Sequence, residues 1–130
     1  MALTMGMATL RAADQRDPLD RARALYNQQQ FAAAIAAADD ARRVAAHADS
    51  ADLIAARALL ERYRTSGDPD DLLRARLRLR GLNAARFSSR ERIELMVGLG
   101  ETLYFERVPG AAAGLFESAL VARDAPSWVR

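Results

Sequence analysis

One apolar pattern occurs three times along this chain, at intervals of 38 and 40 residues when Ala34, Leu72 and Ala112 are aligned. The first copy runs through Leu25-Tyr26, Phe31, Ala34-Ile35, Ala38 and Ala41. The second runs through Leu59-Leu60, Tyr63, Gly67-Asp68-Pro69 and Leu72-Leu73. The third runs through Leu99-Gly100, Leu103-Tyr104, Ala112, Phe116 and Ala119-Leu120. A unit of this length is one supersecondary element that cannot bury its apolar face alone, and stacking against its neighbours makes the core continuous. The repeat therefore predicts helical hairpins packed in series.

Capping chemistry sets the expected boundaries. Asp17-Pro18 is a helix start, with Asp accepting from free N–H groups and Pro at the first helical position. The first helix is expected to run to about Gln28, with Leu19, Ala22 and Leu25-Tyr26 on one side and a turn at Gln28–Gln30. A second, Ala-rich helix follows from Phe31 to about Ala46, its stripe of Ala34, Ala38, Ala41 and Ala45 suited to close helix approach. The third is expected over Ala51–Arg64, capped by Asp49 or Ser50 and ended at Thr65-Ser66-Gly67. Asp68-Pro69 repeats the cap-and-proline start for a fourth helix, Pro69–Arg80. Leu77-Arg78-Leu79-Arg80 alternates like a strand, but its long helical context favours helix. Gly81 is a stop and 81–88 the longest linker. Ser88 with Glu91 is a capping-box pattern opening a fifth helix, Ser89 to Phe105, with Ile93, Met96, Val97, Gly100 and Leu103-Tyr104 inward. Val108-Pro109-Gly110 opens a sixth, carrying Ala112, Leu115-Phe116, Ala119 and Leu120. Residues 1–16 read as a tail, 17–123 as the repeat domain and 124–130, through Trp128, as the start of a further helix or cap.

Composition narrows the chemistry. A chain of 130 residues is one domain with room for a core. No run of 18 apolar residues exists to span a membrane. Cysteine is absent and His47 is the single histidine, so thiol catalysis, disulfides and multi-histidine metal sites are out. The net charge is +2, and every basic residue is Arg. Together with the abundant Ala, this fits coding bias in a GC-rich bacterial genome. Arg's high pKa lifts the isoelectric point without implying nucleic acid. Residues 1–13 read either as the remnant of a secretory signal or as a loosely docked N-terminus, which leaves export and a cytoplasmic location both open.

The three copies resemble tetratricopeptide repeats. In that family a small residue on the first helix admits the second, an aromatic or Leu follows, and after a short turn come Ala and, four residues on, an aromatic. The third copy fits best, with Leu99-Gly100, Leu103, Ala112, Phe116 and Ala119. The first keeps Ala22, Leu25, Phe31, Ala34 and Ala41 but has Ala38 where bulk is usual. The second keeps Leu59, Tyr63 and Leu72 but has Arg76 where an aromatic is expected. The spacing exceeds the family's period of about 34 residues. The resemblance covers residues 17–123 and implies an all-α fold, a right-handed stack of three antiparallel helical hairpins in a TPR-like α-solenoid. An ordinary helical bundle with Ala-rich seams is the alternative.

It also implies a binding face on the first helix of each hairpin. Residues facing away from the second helices are Arg23, Tyr26 and Asn27, then Arg57, Glu61 and Arg64, then Glu94, Glu101, Tyr104 and Phe105. Arg57, Glu61 and Arg64 form one helical stripe, and Tyr and Arg are frequent interface anchors. The expected function is a non-enzymatic protein–protein interaction module that docks a partner protein or peptide segment. Alternatives are self-assembly through the C-terminal end and binding of acidic ligands or nucleic acid through the Arg-rich stretch 74–92. Nucleic acid is the less favoured, because Arg74/Arg78 and Arg76/Arg80 fall on separate stripes with no interleaved aromatic before Phe87. His47 reads as a helix-end or surface residue, Ser88-Ser89 as a cap. No phosphate loop, dinucleotide fingerprint or metal-ligand pattern occurs, so no cofactor, metal or catalytic residue is expected.

Overall fold

The computed structural model describes residues 17–122. These hold the helices α1 (Pro18–Asn27), α2 (Phe31–Ala41), α3 (Ala48–Ser66), α4 (Pro69–Arg80), α5 (Ser89–Phe105) and α6 (Pro109–Val121), with no strand among the described residues. Two short 3-10 turns, Ala45–His47 and Ala84–Arg86, lie in the connections between hairpins. Successive helices pack as α1/α2, α3/α4 and α5/α6. The second helix of each hairpin also lies against the first helix of the next, and α1, α3 and α5 pack side by side. The fold is all-α and helical-repeat-like, compatible with a TPR-like array. The suggested signal remnant and the further helix at Trp128 lie outside the described residues.

The turns inside the hairpins carry the repeat into backbone geometry. Gln29, Gly67 and Arg107 have φ of 61°, 68° and 65°, at the same 38- and 40-residue intervals as the apolar pattern. The second helix begins two residues later each time, at Phe31, Pro69 and Pro109. The outer turns close alike: Gln30 N–H donates to Leu25 C=O and Val108 N–H to Leu103 C=O, both at 2.9 Å. Such six-to-one bonds with a left-handed residue satisfy the last helical carbonyls. The middle turn has glycine at the left-handed position, where its Gly67 N–H donates to Tyr63 C=O at 2.8 Å.

Caps form where side chains allow. Asp17 accepts from Leu19 N–H at 3.0 Å, and Asp68 accepts from Asp70 N–H at 3.0 Å. Ser88 and Glu91 form the reciprocal capping box. Two expected boundaries are corrected. The second helix stops at Ala41, and Val44 is extended (φ −87°, ψ 113°), which leaves Ala45 exposed beyond the stripe. The third begins at Ala48 without a side-chain cap. Ser50 lies inside the helix and donates instead to Glu91 Oε2. His47 ends the 3-10 turn leading into α3.

The core grades along the chain. At the first end Ala22, Ala37, Ala38, Ala41, Ala51 and Ala55 pack with Ile54, a seam of methyl groups that lets α1, α2 and α3 approach closely. In the middle Leu53, Leu59, Leu60, Leu79 and Leu95 bury larger side chains, and Phe87 from the 81–88 connection joins them. At the other end Gly100 lies beneath Phe116. Arg76, where bulk was expected, keeps its stem among its neighbours. Its Nη1 reaches Glu106 Oε1 at 2.6 Å, joining α4 to the residue after α5. Leu77 points outward and Leu79 inward, so the alternating run is read at helical phase. Tyr104, expected inward, is 61% exposed, because it sits one position round the helix from Leu103, which is partly buried.

Candidate binding groove on the first helices

A groove of about 530 Å³ opens along α1, α3 and α5. Its lining includes Arg23, Tyr26 and Asn27 from α1, Arg57 and Glu61 from α3, and Arg90 and Glu94 from α5. A neighbouring depression of about 280 Å³ shares Arg57 and Glu61 and adds Arg64 and Glu101, with Val97, Phe116, Ala119 and Leu120 as its apolar side. Of the ten residues nominated from sequence, eight meet in these two hollows. The other two do not. Tyr104 stands exposed outside them, and Phe105 packs edge-on against Tyr63 with ring centroids 5.0 Å apart.

The hairpins place these side chains through helical phase. Arg57 and Glu61 lie one turn apart on α3, which is central because α1 and α5 flank it. The guanidinium of Arg57 lies 4.9 Å over the ring of Tyr26, a cation–π contact between the first and second hairpins. Arg64 reaches Glu61 Oε2 and Glu101 Oε1, each at 3.6 Å, tying the second hairpin to the third. Arg23 Nη1 donates to Glu94 Oε1 at 3.3 Å, so the first hairpin meets the third directly. Arg90 Nε donates to the same oxygen at 3.0 Å from one turn away.

Electrostatics follow from burial. The Tyr26 phenol is pushed up from 10.0 to about 12, chiefly by desolvation; Arg57 opposes the shift and Glu61, Glu101 and Glu94 reinforce it. The Glu101 carboxyl is also raised, again mainly by desolvation, with Arg64 and Arg57 opposing and Glu61 adding. Tyr26 is thus a protonated hydrogen-bond donor at neutral pH. The surface combines charged ends with aromatic and aliphatic walls.

Three arginines of the Arg-rich stretch 74–92 are engaged elsewhere. Arg74 pairs with Asp71 at 3.9 Å and Arg76 with Glu106. Arg78 holds both Asp39, at 2.7 Å, and Asp52, at 2.9 Å, linking α2, α3 and α4. These three guanidiniums neutralise carboxylates, Asp71 on their own helix and Asp39, Asp52 and Glu106 beyond it, so they do not form one open cationic track. Sequence reasoning placed Arg90 in that stretch and missed it as a groove residue. Its i, i+4 spacing to Glu94 was the available signal. Of the remaining lining residues, Phe31 was legible as part of the first repeat copy and not as a groove residue, while Gln29, Ile54 and Thr65 carry no groove signature, since only packing brings them together. Among the described residues no group of three or more His, Asp or Glu could hold a metal ion, and no helix is long and apolar enough to cross a membrane. Compared with models of protein families, with curated proteins and with solved structures, the chain matches none.

Proposed function

We propose that this chain is a divergent TPR-like array, a right-handed stack of three hairpins, and that it acts as a non-enzymatic protein–protein interaction module. A partner segment docks along the concave face formed by α1, α3 and α5. The observation that carries this reading is the convergence of side chains from all three first helices on one groove of about 530 Å³. A groove lined by Arg, Tyr and Glu provides anchors and fixes register through charge placement. The common intervals of apolar pattern and left-handed turn residues support the repeat assignment.

The test is charge reversal of Arg57 and Arg64. The double variant Arg57→Glu/Arg64→Glu should lose proteins captured by the wild-type chain while far-UV circular dichroism stays unchanged. Undiminished capture would remove the face assignment.

A second reading is self-assembly through α6. Leu120 and Val121 are exposed on this last described helix, Val121 at 82%, and Glu117 is its single charged residue. At the opposite end α1 exposes polar Asp20 and Arg21, and Gln28 just after it is exposed as well. Sedimentation separates the readings: a monomer at all concentrations excludes self-assembly and leaves docking intact.

A further inference from the structure

Two arginines from hairpins at opposite ends of the array converge on a single buried carboxylate oxygen. Arg23 of α1 and Arg90 of α5 both donate to Glu94 Oε1, at 3.3 and 3.0 Å. The Glu94 side chain is only 3% exposed, while those of Arg23 and Arg90 are 28% and 56% exposed. The carboxylate is therefore set beneath two cations that reach the groove. Two guanidiniums against one carboxylate leave one positive charge in excess. Asp71 is likewise shared by Arg62 and Arg74, but neither of those arginines lines this groove.

Each guanidinium presents five N–H donors in a rigid fork, and one nitrogen of each contacts Glu94. Holding both forks from below restricts their rotamers before any ligand arrives, which lowers the ordering cost of binding. Tyr26 and Asn27 line the same groove and add donors.

We propose that Arg23 and Arg90, positioned by Glu94, form a seat for one carboxylate side chain of the docked segment, an internal Asp or Glu rather than a chain terminus. This rests on the docking reading and specifies the chemistry of the guest. A carboxylate matches the single excess charge. A phosphate group carries about −1.5 to −2 at neutral pH and would be left under-compensated, because the groove's other charges, Arg57 and Glu61, offset each other.

Nuclear magnetic resonance on the full chain, observing the arginine Nε–Hε signals, tests the seat without a known partner. The probe is glutamate capped as N-acetyl and C-methylamide, so that its one carboxylate is the side chain. The Arg90 signal should shift saturably with this probe, and capped glutamine should bind at least ~10-fold more weakly, since charge-assisted hydrogen bonds are lost. Arg23→Gln should weaken the glutamate response similarly while the spectrum remains that of a folded chain. Arg90→Gln, followed through the Arg23 signal, provides the converse measurement. Equal responses to capped glutamate and glutamine, or none to either, would overturn the seat. A tighter response to inorganic phosphate would overturn the carboxylate assignment. Both outcomes are independent of the Arg57/Arg64 capture experiment, which tests the docking reading itself.

Discussion

Gly100 lies against the ring of Phe116: a Cβ at residue 100 would stand 2.6 Å from Phe116 Cε1. The absent side chain is what lets α5 and α6 close. Neighbouring glycines differ. A Cβ at Gly98 would meet Leu79 at an ordinary 3.6 Å, and one at Gly114 would meet nothing within 4 Å. Gly→Ala in a helix otherwise gains roughly 1 kcal/mol, and overpacking costs about 1–3 kcal/mol. Gly100→Ala should therefore lower stability by about 1 kcal/mol net, whereas Gly98→Ala and Gly114→Ala should raise it by up to about 1 kcal/mol. Urea unfolding midpoints at constant m-value measure all three. Adding Phe116→Leu to Gly100→Ala should recover part of the loss.

The turn residues provide a second series. Gln29 and Arg107 occupy the left-handed region that Gly67 occupies freely, at a cost of roughly 1 kcal/mol for a residue with a Cβ. Gln29→Gly and Arg107→Gly should each stabilise by some tenths to about 1 kcal/mol, less the greater unfolded-state entropy of glycine. Gly67→Ala should destabilise by about 1 kcal/mol, through strain alone, because a Cβ there meets no neighbour. Thermal melts of the three variants check the equivalence of the turns.

Glu101 predicts a pH dependence with a definite sign. Its folded-state pKa is raised by burial, so the folded chain holds this proton more tightly than the unfolded chain. Stability therefore falls as pH rises from the unfolded value, about 4.3, through the folded one. Glu101→Gln removes that loss. The stability of the variant relative to wild type should shift in its favour from pH 4 to pH 7, read by denaturant titrations at both pH values. The Arg64 contact also needs the ionised carboxylate, and it already opposes burial within the net upward shift, so it does not alter the direction.

Arg78 joins three helices through Asp39 and Asp52, and Asp52 also receives Arg42 at 3.1 Å. The Arg78 side chain is 19% exposed, so this pair is less screened than a surface pair. Arg78→Gln should cost about 1–2 kcal/mol, between exposed and buried ion pairs. A double-mutant cycle with Asp52→Asn should give a coupling above ~0.5 kcal/mol, as expected for groups in one network. Coupling near zero would assign the cost of Arg78→Gln to the Asp39 contact or to packing.

Local chemistry made much of the fold legible. Asp17-Pro18, Asp68-Pro69, the Ser88–Glu91 capping box and Val108-Pro109 act within one helical turn, so five of the six described helices start where the residues say: α1, α4, α5, α6 and α2, the last at Phe31 after the Gln28–Gln30 turn. The start of α3 was misplaced because Asp49 and Ser50 are good caps by type, yet Ser50 serves Glu91 across the array. Tyr104 was misplaced because the inward arc was drawn one residue too wide: it lies about 100° round the helix from the partly buried Leu103.

The sequence by itself determined helix class, the three-fold recurrence and its phase, since propensity, capping and apolar periodicity are short-range properties. It also placed the groove candidates on the first helices. Only the tertiary structure decided which of them meet. The Arg23–Glu94 pair joins residues 71 positions apart, and the Gly100–Phe116 approach depends on how α5 and α6 close. Such contacts depend on distance and burial between helices, and each Arg has several carboxylates it could reach in another packing. The choice among those partners is made when the helices come together.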